Sequence, residues 1–132
     1  MIIDCISDLH GHYPELEGGD LLIVAGGLTS RDTIDGYIKW KDWIIQEGEK
    51  YCKIVIIAGN HDSMIQQKPD GFDLYFCKEN RSKWVYLEDS GTEFEGLKIW
   101  GSPWTKSFPG MNPHCKAFTV DTEEELQMKR EI

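Results

Sequence analysis

Apolar residues gather in three short runs, Ile2–Ser7, Leu21–Ala25 and Ile54–Ala58, the first interrupted by Asp4 and the other two continuous. Their length and β-branched content predict strands buried on both faces, the pattern of a parallel sheet. Between the second and third runs, Ile34, Tyr37, Ile38, Ile44 and Ile45 recur at helical spacing. Thr29-Ser30-Arg31-Asp32 supplies a capping start, with Asp32 and Asp35 near the positive end of that helix. The middle of the chain therefore reads β–α–β.

After Asn60-His61-Asp62 the pattern loosens, with a short helix expected around Phe72–Lys78. Short strands follow at Trp84–Leu87, Thr92–Phe94 and Leu97–Trp100. Asp89-Ser90-Gly91 and Glu95-Gly96 between them have the turn chemistry of an antiparallel hairpin. Pro103–Ala117, containing Pro103, Pro109, Gly110 and Pro113, reads as a long irregular loop. Thr122-Glu123-Glu124-Glu125 then opens a final helix. The chain carries no internal repeat and no low-complexity linker.

Length and composition narrow this picture to one domain with a modest core, since the chain has 132 residues and 40% of them are hydrophobic. No apolar stretch approaches the roughly 20 residues of a membrane helix. The N-terminus also lacks a charged region followed by a long apolar segment, so the expected setting is the cytoplasm, with no membrane partner. A net charge of −9 argues against an extended nucleic-acid surface, although bound metal ions invert that logic locally. Cys5, Cys52, Cys77 and Cys115 are widely spaced with no CxxC pair, and read as reduced thiols.

Each N-terminal strand runs into a small polar loop: Asp8-Leu9-His10-Gly11-His12, Gly26-Gly27-Leu28-Thr29 and Gly59-Asn60-His61-Asp62. Ligand crevices in open α/β sheets lie beyond the carboxyl ends of the strands, so these loops are expected to converge. Asp8 and His10 are two residues apart, and on an extended chain both side chains face the same way. They would then offer a hard oxygen and an imidazole nitrogen to a common point, a pair suited to Mn²⁺, Fe or Zn²⁺. Taken alone, such a triplet is as readily surface polarity. His61 has the proton-transfer chemistry of a general acid; Asp62 is expected to cap a following helix, and His12 either orients a ligand or faces solvent.

The segments Ser7–His12, Asp20–Gly26 and Gly59–Asp62 together resemble the calcineurin-like metallophosphoesterase superfamily. Leu97–Trp104 is similar to one subgroup of bacterial, phage and animal phosphodiesterases in it. The resemblance covers the whole chain in order. It implies one domain over residues 1–132, in an incomplete α/β/β/α sandwich with a parallel β–α–β core followed by a hairpin. It also implies two divalent metals that activate a hydroxide for attack on a phosphoester. By motif position Asp8 and His10 match ligands of the first metal and Asn60 a ligand of the second. His61 matches the histidine that contacts phosphate or protonates the leaving group.

Two departures bear on activity. The family's bridging aspartate corresponds to Gly27, which has no side-chain oxygen to offset the repulsion between two cations; Thr29 or Ser30 offers only a hydroxyl. The family's later Gly-His and Gly-His-x-His motifs have no counterpart before Ile132, and His114 in its Pro-rich loop matches neither. The expectation is therefore a domain shortened at its C-terminus, with fewer than two metals bound. Open apolar surface left by the shortening is expected to be covered in a homodimer or by a C-terminal fragment partner. The leading functional reading is a metal-dependent phosphoesterase, most simply a phosphodiesterase, impaired in this chain. Its substrate is a phosphoester, with nucleotides among the candidates. The competing reading is a non-catalytic module of the same scaffold, acting in binding or assembly.

Overall fold

Four parallel strands lie side by side in sequence order: β1 (Ile3–Ile6), β2 (Leu21–Ala25), β3 (Lys53–Ile57) and β4 (Trp84–Tyr86). The computed structural model describes residues 1–29, 33–60, 62, 83–111 and 117–130. Register sets Ile6 beside Val24 and Ala25 beside Ile57, so the first three strands end at one level. The loops that follow them consequently leave the sheet together. The α/β expectation holds, and the strand expected at Trp84–Leu87 joins the parallel sheet, ahead of the hairpin.

Alternation along β2 and β3 divides their apolar residues between two faces. Leu22, Val24, Ile54 and Ile56 pack with Tyr37, Trp40 and Ile44 of α1 (Ile34–Gly48). Leu21, Val55 and Leu87 form a second cluster with Phe94 and Ile99. Those last two belong to the antiparallel pair β5 (Ser90–Phe94) and β6 (Leu97–Gly101). The sheet thus has a helix on one face and a hairpin on the other. Each large side chain fully buried in these layers contributes about 1.5–3 kcal/mol. Glu95 (φ 48°) and Gly96 (φ 82°) make the tight hairpin turn, both in the left-handed region such a turn requires.

Several local expectations change. β1 is an edge strand with Ile3 and Cys5 exposed, not a strand buried on both faces. Among the described residues its only strand neighbour is β2, and the hairpin packs on Leu21, Val55 and Leu87. The helix starts one turn later than the expected cap: Thr33 Oγ1 accepts the Gly36 N–H at 3.1 Å. Its buried face runs through Tyr37, Trp40, Ile44 and Gly48, while Ile34, Ile38 and Ile45 are exposed. At 100° per residue those three isoleucines fall on the flank of the stripe set by Tyr37 and Trp40.

Inside Pro103–Ala117 the strand β7 (Thr105–Lys106) pairs with β8 (Thr119–Val120), so this stretch is not wholly irregular. The final helix α2 (Glu123–Arg130) follows the expected signal, with Thr122 Oγ1 accepting the Glu125 N–H at 3.1 Å. The helix expected at Phe72–Lys78 lies outside the described residues, as do His61, His114, Cys77 and Cys115.

The connection from β1 to β2 is held by side chains of α1. Tyr13 stacks on Trp43 with ring centroids 5.4 Å apart, and the Trp43 indole N–H donates to the Pro14 carbonyl at 2.9 Å. Glu47 accepts the Leu16 N–H at 3.0 Å and pairs with Lys50 at 2.7 Å. The Lys50 hydrogen bond, followed by that N–H, holds the Glu47 carboxyl below its ordinary value. Tyr51 donates to Asp4, and burial, aided by that contact, pushes its hydroxyl up to about 12. The contacts of Tyr13, Pro14 and Leu16 fix the chain immediately after the first polar loop, and that of Asp4 fixes the strand before it.

Candidate metal centre

The polar loops after β1, β2 and β3 do converge, and backbone contacts set how closely. The Asp8 N–H donates to the Gly26 carbonyl at 3.1 Å and the His10 N–H to the Gly27 carbonyl at 2.9 Å. The first loop is therefore zipped to the second beyond the end of their strands. Gly26 meets the third loop so tightly that a Cβ there would lie 2.9 Å from Gly59 Cα. Only glycine lets these two backbones approach in this way, and Gly26 also has φ 83°.

Asp8 and His10 come together, but not through an extended chain. Both occupy the left-handed region, with φ 54° and 46°. Asp and His tolerate this conformation better than most residues, and strain of this kind clusters at functional sites. His10 Nε2 lies 3.6 Å from Asp8 Oδ1. Two ligands each roughly 2.0–2.2 Å from one cation sit roughly 3–3.6 Å apart, so the pair fits a single ion. Asp8 is exposed and His10 partly so, leaving the pair open to solvent; the Ser7 hydroxyl donates to Asp8 Oδ2 at 2.9 Å.

Asn60 stands in the third loop, partly exposed, and its backbone carbonyl accepts the Ala117 N–H at 3.1 Å. Through that bond the third loop is anchored to the turn before β8. Thr29 is buried, its Cβ against the first turn of α1 at Gly36. His12 is exposed, and its N–H closes a turn on the Leu9 carbonyl. Among the described residues no group of three His, Cys, Asp or Glu side chains is placed to hold a metal ion. Among the described residues, the Asp8–His10 spacing suits two donors to one cation, and Gly27 offers no side-chain oxygen to bridge a second.

The helix that Asp62 is expected to cap lies outside the described residues, and within them its carboxylate ties loops together. Its carboxylate is fully buried and accepts the Gly27 N–H at 3.0 Å, the Leu28 N–H at 3.2 Å and the Gly59 N–H at 2.7 Å. The Tyr37 hydroxyl donates to it as well, at 3.4 Å. One side chain therefore bolts the second loop to the third and both to α1. The Tyr13 hydroxyl, donating to the Leu28 carbonyl at 3.0 Å, is raised by burial and then by the negative charge of Asp62. A carboxylate directly after Asn-His carried this signal in the sequence, but nothing there reveals a partner 35 residues away.

The model of the calcineurin-like phosphoesterase family matches residues 1–129. The chain is 34% identical over 120 residues to a UPF0046 protein of Caenorhabditis elegans, covering 80% of this chain and 42% of that protein. It is 29% identical over 128 residues to metallophosphoesterase domain-containing protein 1 of Homo sapiens, covering 80% and 38%. It is also 31% identical over 110 residues to the probable rhamnogalacturonate lyase C of Emericella nidulans, covering 76% and 10%. The chain therefore spans less than half the length of each of these relatives.

Proposed function

The chain belongs to the calcineurin-like phosphoesterase family, and from that premise we propose that it hydrolyses a phosphodiester with one divalent cation, at a rate lowered by Gly27. The observation that carries this reading is the 3.6 Å approach of His10 Nε2 to Asp8 Oδ1 where the three polar loops meet. Asp8 supplies an anionic oxygen, His10 an imidazole nitrogen, and Asn60 a neutral amide oxygen from the third loop. Mn²⁺, Fe and Zn²⁺ all suit that set. The chemistry a cation supplies there is Lewis-acid charge stabilisation and activation of water. His61, next to Asn60, is the residue we assign to protonating the departing alkoxide, a step near neutral pH for an imidazole. The absence of a bridging carboxylate at position 27 removes the group that would draw a second ion close.

The test is hydrolysis of an activated aryl phosphodiester with Mn²⁺. Slow turnover that EDTA abolishes is expected, and His61→Ala should lower it by roughly 10²–10⁴-fold, the usual worth of general acid catalysis. A rate indifferent to EDTA or to His61→Ala contradicts the proposal. Metal binding with no turnover would instead favour the second reading, a non-catalytic module acting in binding or assembly, which Gly27 supports.

We further propose that β1 has a partner. Ile3 is 41% and Ile2 60% exposed, and Cys5 and Ala25 are open beside them. An uncovered apolar edge of this kind favours association, with a second copy of the chain as the simplest occupant. Sedimentation at micromolar concentration should show a dimer; a stable monomer contradicts it, and a monomer that binds a C-terminal segment of a longer relative would identify the other occupant.

A further inference from the structure

Gly27 reads at first as a ligand lost. Its surroundings point further. The residue has φ 65°, a conformation L side chains rarely adopt. A Cβ built on it would lie 2.8 Å from Asp8 Cα, 3.2 Å from Asp8 N and 3.3 Å from His10 Cε1. The first two contacts are backbone, which cannot swing aside as the end of a flexible side chain does. Meanwhile the Gly27 carbonyl receives the His10 N–H, and the Gly27 N–H is held by Asp62. The peptide on either side of position 27 is thus fixed from two directions, with the first loop resting on the bare α-carbon.

We infer that Gly27 is the seat of the Asp8–His10 turn, and that a carboxylate restored at position 27 unseats that turn without creating a two-metal centre. The inference rests on the reading of Asp8 and His10 as cation ligands only in its second half. The seat itself is a matter of backbone geometry. The left-handed conformations of Asp8 and His10 are stabilised by the two hydrogen bonds to Gly26 and Gly27. Any side chain at position 27 forces those bonds to lengthen or the residue to leave its left-handed region. Either change separates the first loop from the second, moving the two ligands that the new carboxylate would need beside it.

Gly96 provides the control. It has a similar φ, 82°, but a Cβ there would meet nothing within 4 Å. Gly96→Ala therefore reports the conformational penalty alone, whereas Gly27→Ala reports the penalty plus the collision. In metal-free protein, Gly96→Ala should lower Tm by about 3–5 °C, the shift that roughly 1 kcal/mol produces in a domain of this size. Gly27→Ala should lower it at least twice as far. Amide exchange at the His10 N–H should accelerate at least tenfold in Gly27→Ala and stay unchanged in Gly96→Ala. Equilibrium dialysis against Mn²⁺ should then find no more metal on Gly27→Asp than on the wild type.

Equal Tm losses in the two alanine variants, or an unchanged His10 exchange rate in Gly27→Ala, would overturn the seat. A Gly27→Asp protein that keeps the wild-type Tm and binds a second Mn²⁺ would overturn the whole inference. If the wild type binds no Mn²⁺ while Gly27→Ala still loses Tm and His10 protection, the cation reading fails and the seat stands.

Discussion

Asp62→Ala should destabilise the protein by about 3–5 kcal/mol, because it strips the partner from three main-chain N–H groups at once. Gly27 and Leu28 are both buried, so water cannot readily replace the lost acceptor. An unsatisfied buried donor costs about 1–3 kcal/mol. Such a loss is a large share of the roughly 5–15 kcal/mol that holds a domain together. Asp62→Asn is the sharper variant. One carboxylate oxygen accepts from Leu28 and Tyr37, the other from Gly27 and Gly59. An amide of the same shape must turn its NH₂ toward one of those sets of donors, so Asn should recover little of the loss. Urea denaturation of both variants checks this; an Asp62→Asn protein as stable as the wild type would show that the loops are held by other means.

The second large effect falls on metal affinity and leaves the fold alone. Asp8→Asn keeps an acceptor for the Ser7 hydroxyl, which donates to Asp8 Oδ2 at 2.9 Å. Asn also tolerates the left-handed backbone found at position 8. What disappears is the negative charge of the anionic member of the Asp8–His10 pair, whose donor atoms lie 3.6 Å apart. Replacing residues that merely support a ligand already lowers affinity by about 10–100-fold, so removing the charged ligand itself should reduce Mn²⁺ affinity by at least about 100-fold, or ~2.7 kcal/mol. Titration calorimetry should show that drop with Tm within a few degrees of the wild type. Undiminished Mn²⁺ binding by Asp8→Asn would place the ion elsewhere.

Much of the scaffold was legible in the sequence because burial on both sides writes itself as continuous apolar runs. β2 and β3 are such strands, and the sequence pattern found them to within a residue. β1 misled for the opposite reason: Ile2, Ile3 and Ile6 look like core residues, yet an edge strand leaves Ile2 and Ile3 largely exposed, and nothing local distinguishes an edge. On α1 the helical spacing identifies Tyr37 and Ile44, which are buried, along with Ile34, Ile38 and Ile45, which are exposed, and it leaves out Trp40, which is wholly buried on the packing face.

The candidate site divides along the same line. That three loops meet at the carboxyl ends of parallel strands follows from topology, and the pairing of Asp8 with His10 followed from their spacing. The means by which they meet did not. Left-handed turns at Asp8 and His10, and the burial of Asp62 between loops, depend on contacts across 17 to 35 residues, which no short window along the chain can contain. Gly27 was visible as a missing carboxylate; only the three-dimensional arrangement shows the backbone of Asp8 resting against it.

The proposed hydrolysis depends on one divalent cation held between Asp8 and His10. Equilibrium dialysis against Mn²⁺ at neutral pH, with elemental analysis of the protein, tests it most directly when wild type and Asp8→Asn are run together. One ion per chain is expected on the wild type and none on the variant at the same free Mn²⁺. Two ions per wild-type chain, none at all, or one that Asp8→Asn retains would contradict it.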